Sequence, residues 1–224
     1  MLDKAVAILS FLSANGPASL ATVVGDTGLP RPTAHRLLSA LEAHHLVVRG
    51  RGRYSLGIRL LGWGNRAVGT SLVDAAWPVL AALRDETGES TQLYVREGDR
   101  RVCVASVERA SGGLRDTVPV GAVLPLELGS GGKVLLAWAE DKGRFSGVGI
   151  AELDAIRSRG WAESVAEREA GVASVSAPVF GPDGKLNAAV CASGPISRLG
   201  ERPGERLAEP VVAAAREIEE TMGS

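Results

Sequence analysis

The run Gly129-Ser130-Gly131-Gly132 leads straight into Lys133, and a glycine-rich turn ending in lysine is where phosphate chemistry is first sought. A phosphate-binding loop of that kind needs glycine five residues before Gly132 and serine or threonine after the lysine. Glu127 and Val134 stand there instead, so the pattern fails at both ends. What remains is either a row of backbone N–H groups leading into a helix, suited to a carboxylate or other small anion, or a tight turn for close packing. All three histidines (His35, His44, His45) lie in the first fifty residues. The rest of the chain therefore has no imidazole to activate a serine or cysteine, and no His/Cys cluster for zinc. Cys103 and Cys191 each stand in an apolar, strand-like pattern and read as buried, inert thiols. Asp116 is a lone acid. No catalytic residue, metal or cofactor is expected.

A different chemistry sits at the start of the chain. Residues 1–60 carry seven basic side chains (Lys4, Arg31, Arg36, Arg49, Arg51, Arg53, Arg59) against three acidic ones, while all 224 residues together have a net charge of −1. A basic head on an acidic body brings only the head to phosphate. Stepwise apolar spacing shows how the head is built. Leu2, Ala5, Leu9 and Leu12, with Ile8 beside them, recur at helical spacing until Gly16-Pro17 stops the run. Ser19 caps a second short helix with Leu20, Val23 and Val24 inward, and Gly28 suits its C-terminal turn. A third helix holds Pro32 in its first turn and points Ala34, Leu37, Leu38 and Leu41 to the core. Leu46–Arg49 and Tyr54–Leu56 read as strands around Gly50-Arg51-Gly52-Arg53, an arginine-tipped wing able to reach phosphate or the minor groove. The order predicts a winged helix-turn-helix, with Arg31, Pro32, Thr33, His35, Arg36, Ser39, Arg49, Arg51 and Arg53 as the DNA contacts. The plainer alternative is a three-helix domain with a solvated charged face.

Behind the head, Ile58–Ala67 and Ser71–Thr87 read as linking helices, the second with Leu72, Ala75, Val79, Leu80 and Leu83 on one face and a kink or break expected at Pro78. They offer a dimer surface, or pack on their own body. From Ser90 the pattern turns to strands: Thr91–Val95, Val102–Glu108 and Leu114–Val118, then, after helices near Lys133 and over Ile150–Arg159, Val172–Phe180 and Leu186–Ser193. A closing helix starts at Pro210. The divisions are 1–57, 58–88 and 89–224, and the class is α+β with a mostly antiparallel sheet. Hydrophobic residues at 45% and charged ones at 23% are ordinary for a globular chain. Two unpaired cysteines, no signal-like start at Met1-Leu2-Asp3-Lys4 and no membrane-length apolar run point to the cytoplasm.

The run Thr27-Gly28-Leu29-Pro30-Arg31-Pro32-Thr33-Ala34-His35-Arg36-Leu37-Leu38, with Tyr54-Ser55-Leu56-Gly57 closing the wing, resembles the IclR family of bacterial transcription regulators. So do Gly121…Leu124-Pro125-Leu126…Gly132-Lys133-Val134-Leu135-Leu136-Ala137, Arg159-Gly160-Trp161, Ser176-Ala177-Pro178-Val179-Phe180 and Ser193-Gly194-Pro195, with Glu127 where the family often has histidine. The stretches Leu114–Gly121 and Gly171–Pro178 look closer still to the NdgR-like actinobacterial subgroup, associated with leucine and other amino-acid metabolism. The resemblance implies a GAF/PAS-like effector-binding body and a dimer or tetramer on palindromic double-stranded operator DNA. It also implies an effector pocket at Asp116, Leu124, Ser130, Gly131, Ser164, Ser174, Cys191 and Ser193. An amino acid or small carboxylate fits such a pocket, its carboxylate at the glycine run and an ammonium at Asp116. An enzyme carrying a DNA-binding module, and a winged helix that binds protein, are the competing readings.

Overall fold

The computed structural model describes residues 1–68, 70–109 and 118–223, the side chains of 65–71 excepted. Contacts divide the chain into two compact units, Met1–Ala67 and Val68–Ser224.

The first unit starts with α1 (Leu2–Asn15) and a two-residue strand β1 (Ala18–Ser19). Helices α2 (Leu20–Thr27) and α3 (Arg31–Ala43) follow, then the hairpin β2 (Val47–Gly50) and β3 (Arg53–Leu56). Ser19 caps α2 as expected, its Oγ accepting from the Thr22 N–H at 3.2 Å, and Gly28 ends the helix in the left-handed conformation at φ 64°. The core face of α3 is Ala34, Leu37, Leu38 and Leu41, all buried. The face of α1 differs from expectation. Leu2 is exposed, and the buried stripe is Ile8, Phe11 and Leu12, so the helix turns its aromatic residue inward. Strand β1 is also unanticipated: it pairs with β3, Ala18 opposite Tyr54, and makes a three-stranded sheet in the order β1-β3-β2.

In the second unit, α5 (Thr70–Thr87), which follows α4 (Arg59–Val68), runs unbroken through Pro78 and buries the expected Leu72, Ala75, Val79, Leu80 and Leu83. The strands are β4 (Ser90–Glu97), β5 (Arg100–Val107), β6 (Val123–Pro125), β7 (Ala162–Val165), β8 (Val172–Phe180) and β9 (Leu186–Pro195). They form one antiparallel sheet in the order β6-β5-β4-β9-β8-β7. Helices α6 (Ser130–Ala137) and α7 (Ile150–Arg159) cover one face. On the other lie α5 and α9 (Gly204–Gly223), which follows the short α8 (Ile196–Leu199). With both faces covered, β8 and β9 are buried almost throughout, so they read as continuous apolar runs rather than a half-polar alternation. No helix among the described residues is long and apolar enough to cross a membrane. The expected strand over Leu114–Val118 lies outside the described residues except for Val118, which is buried.

Two helix starts are corrected. The last helix begins at Gly204, six residues before Pro210, because the Glu163 carboxylate accepts the Gly204 N–H at 2.9 Å and caps the helix from β7. Helix α6 begins at Ser130 rather than near Lys133, so Gly131 and Gly132 form its first turn. A Cβ on Gly132 would stand 2.0 Å from the Leu126 carbonyl oxygen, and one on Gly131 would stand 3.0 Å from the Tyr94 ring. Close packing of α6 on its neighbours requires these glycines.

Candidate functional site

The first unit presents a polar surface from two elements. On α3, Arg31, Pro32, His35, Arg36 and Ser39 are exposed and Thr33 is half-buried, all off the face that packs on the core. Pro32, Arg36 and Ser39 are spaced to share one exposed stripe. In the hairpin, Gly50 pairs with Arg53, leaving a two-residue tip of Arg51 and Gly52 with φ 51° and 76°. Positive φ at both residues is the tight hairpin turn whose twist suits antiparallel strands, and it holds Arg51 at the extreme tip. Arg49 and Arg53 are exposed on the strands that flank it, and the Arg49 guanidinium lies 5.4 Å from the Tyr54 ring centre. Among the described residues none of these groups is ion-paired with a carboxylate, so their charge is directed to solvent.

In the second unit, strand alternation brings together side chains far apart in sequence. Ala173, Val175 and Ala177 of β8 point to the face covered by α5 and α9, so Ser174 and Ser176 point to the α6 face. Cys191 and Ser193 of β9 and Tyr94 of β4 share that face. There they meet the α6 N-terminus: Ser130 Oγ is 2.7 Å from Ser174 Oγ and 2.8 Å from Ser176 Oγ. Ser193 Oγ donates to Gln92 Oε1 at 3.1 Å. A small cavity of about 20 Å³ is lined by Ser130, Gly131, Ser164, Ser174, Cys191 and Ser193, together with Tyr94, Arg101, Gly129, Arg168, Glu169 and Val172. That is room for about one water, so a larger guest must part the walls.

Six of the eight expected pocket residues therefore converge. Leu124 does not line the cavity; it lies half-buried on β6, paired with Arg101 in the sheet. Asp116 lies outside the described residues. The glycine run is not a free anion cradle at its entrance, because the Gly129 N–H donates to Glu167 Oε2 at 3.1 Å. Glu167 also binds Lys133, which forms a second ion pair with Glu152 at 2.7 Å. Burial works against the charge on Lys133, but the two carboxylates outweigh it and raise its pKa. Both cysteines are buried, as expected, and burial together with Cys191 pushes the Cys103 thiol up to about 12.

Arg101 was missed by sequence reasoning. It is 2% exposed, stacked with its Cζ 5.1 Å from the centre of the Tyr94 ring, and burial holds its pKa below the ordinary arginine range. The signal was present in the strand pattern: Arg101 has the same parity as Cys103 in Arg100-Arg101-Val102-Cys103, which puts an arginine on a buried face.

Comparison with known proteins gives this arrangement its lineage. The family model for the IclR helix-turn-helix domain matches residues 1–51, and that for the C-terminal part of IclR bacterial transcriptional regulators matches residues 66–144 and 150–220. The chain belongs to the IclR family. It is 31% identical to the glycerol operon regulatory protein of Streptomyces griseus over 88% of this chain and 85% of that protein. A transcriptional regulator from Rhodococcus sp. RHA1 is 27% identical, with TM-score 0.76 over 99% of this chain and 97% of the other. An IclR homolog from Microbacterium hydrocarbonoxydans, solved with 4-hydroxybenzoate, has the same fold at 23% identity, with TM-score 0.78 over 99% and 98% of the two chains. IclR-family proteins are transcription regulators rather than enzymes, which removes the enzyme alternative. The chain is a DNA-binding regulator with a winged helix-turn-helix head and an effector domain built on a curled antiparallel sheet.

Proposed function

We propose that α3 enters the major groove of an operator through Arg31, Pro32, Thr33, His35, Arg36 and Ser39, and that Arg49, Arg51 and Arg53 hold the adjacent backbone or minor groove. The effector is an amino acid or small carboxylate, bound in the cavity between α6 and strands β7, β8 and β9. The carrying observation is the convergence of Ser130, Gly131, Ser164, Ser174, Cys191 and Ser193 on that one cavity. The 4-hydroxybenzoate bound by the Microbacterium homolog supports a carboxylate of modest size. Functionally the chain divides into a DNA-binding head (1–57), linking helices (58–88) and an effector domain (89–224). Exposed Ile58, Leu61, Trp63 and Trp77 on and beside the linking helices support assembly of a homodimer or homotetramer on a palindromic operator. Likeness to the NdgR-like subgroup across Leu114–Gly121 and Gly171–Pro178 supports control of amino-acid, leucine-related metabolism. Regulation follows if the ligand has different affinity for two arrangements of the heads.

Selection of bound genomic fragments, followed by operator release with metabolites of the neighbouring genes, tests the proposal. Release by an amino acid or its keto-acid is the expected result. Operator binding that ignores every such metabolite would leave the body as an assembly platform, and failure to retain any DNA would favour a protein-binding winged helix.

The wing's share can be measured separately. Replacing Arg51 and Arg53 with alanine is expected to weaken specific and random DNA alike and to reduce the salt dependence by about one to two counterions. Fluorescence anisotropy across a salt series gives that slope. If specific binding alone falls and the slope is unchanged, the wing reads bases.

A further inference from the structure

Among the described residues, two buried side-chain polar atoms have no hydrogen-bond partner, Arg101 Nε and Gln92 Nε2. Both are donors, and both belong to the same neighbourhood. Arg101 lines the cavity, and Gln92 accepts from Ser193, which also lines it. Unmet buried donors are uncommon in native proteins, and a pair beside one cavity calls for acceptor atoms there.

The surroundings of Arg101 define the acceptor's charge. Its Nη1 donates to the carbonyls of Pro125 and Leu128, the first at 2.8 Å, which fixes the guanidinium against the chain before α6. Its Nη2 lies 3.1 Å from where a Cβ on Gly129 would stand, so a side chain there would crowd the guanidinium, and both residues line the cavity. Among the described residues its electrostatic neighbours are Tyr94, Cys191, Arg168 and Cys103, none of them a carboxylate. Glu169 and Glu167, the nearby acids, are engaged by Arg168 and by Lys133. A buried cation without a paired anion is costly to hold in the folded protein, and a bidentate carboxylate is the partner its free edge fits.

We propose that Arg101 is the charge-selecting anchor of the cavity, pairing through its Nε edge with the carboxylate of a small anion while Gln92 Nε2 donates to a further acceptor oxygen on the same ligand. This rests on the effector reading of the cavity and moves the ligand's acid end from the glycine run, where Glu167 already sits, to β5. An uncharged amide of the same size is rejected because it leaves the guanidinium unpaired.

Formate and acetate are the probes, because they are the smallest carboxylates and need the least opening of the walls. Thermal midpoints of the full chain are measured at constant ionic strength while chloride is exchanged for formate or acetate, with formamide and acetamide as neutral controls. The wild-type midpoint is expected to rise saturably with the carboxylates and not with the amides. Arg101→Gln should weaken the fitted affinity about ten- to hundredfold, the change expected for loss of a charge-assisted hydrogen bond. A cooperative melt checks that this variant folds, and Arg101→Lys covers the case in which it does not. The lysine variant should keep the preference for acid over amide at reduced affinity. Equal response to acid and amide, no saturable response in the wild type, or an unchanged affinity in Arg101→Gln would overturn the anchor. If a neutral metabolite nevertheless releases the operator, the effector reading stands without Arg101. If the anchor behaves as described and no metabolite alters operator binding, the effector reading fails and the anion site remains.

Discussion

Arg198→Ala is expected to lower folding stability by about 3 kcal/mol, the low end for breaking a buried ion pair from one side. Glu89 is 1% exposed at the join between α5 and β4, and both its oxygens are held by Arg198, Oε1 by Nε at 2.8 Å and Oε2 by Nη2 at 2.6 Å. The carboxylate has no room to turn toward water. A Cβ on Gly194 would lie 2.2 Å from Glu89 Oε2, so β9 closes over it. Removing the guanidinium strands a negative charge in that space. The low end applies because the Arg198 side chain is 27% exposed, which lets some water reach the vacated site. Urea denaturation of the variant measures the loss. Glu89→Gln in the same background should recover part of it, since a neutral amide costs less to bury than an unpaired carboxylate. A stability change under about 1 kcal/mol, within the range of an exposed pair, would mean that Glu89 is effectively solvated.

The head was legible residue by residue because its signals are local. Ser19, Gly28 and Pro32 mark helix ends through their own backbone chemistry, and the spacing of Ala34, Leu37, Leu38 and Leu41 repeats with the helix. The wing tip at Arg51-Gly52 likewise follows from a two-residue turn. What failed there was tertiary: Phe11 outweighs Leu2 in setting the buried stripe of α1, and two residues, Ala18 and Ser19, form a strand only because β3 is beside them. In the second unit the strands of the central hairpin β8–β9 were legible from apolar runs on either side of Gly181-Pro182-Asp183-Gly184. The start of α9 was not, because its cap comes from Glu163, forty-one residues away in sequence.

The cavity shows the same division. Small residues at Ser130, Ser164, Ser174, Cys191 and Ser193 came from the family resemblance, and the sheet brings them to one wall. Spacing alone does not find them, since each strand contributes one or two residues and the register between strands sets their meeting. Gly129–Gly132 looked like an anion cradle because glycine serves two ends, exposing N–H groups and permitting contact. Here Leu126 and Tyr94 claim the contact and Glu167 claims the first N–H. The buried arginine on β5 was overlooked because the expected strand began at Val102, whereas β5 begins at Arg100, where alternation leaves Arg100 exposed and buries Arg101.

Arg36→Ala is expected to cost about 1–3 kcal/mol in specific operator binding, the range for one base-reading contact. Arg36 lies between His35 and the core residue Leu37, exposed, one turn after Pro32 and directly before Ser39 on the same stripe. An arginine there can present two parallel N–H groups to the O6 and N7 of a guanine, which no other base offers in that arrangement. Fold and stability should not change, because Leu37, Leu38 and Leu41 keep their places on the opposite face. The discriminating measurement compares affinities for the selected operator, for single-base variants of it and for random duplex. If Arg36 reads a base, the variant loses discrimination at one position of each half-site, and its affinity for random DNA falls by much less. If it only neutralises phosphate, affinity falls uniformly across sequences and the salt slope drops by about one. Equal affinity of variant and parent for the operator would remove Arg36 from the interface altogether. His35, its neighbour on the exposed surface, would then be the next α3 residue to test.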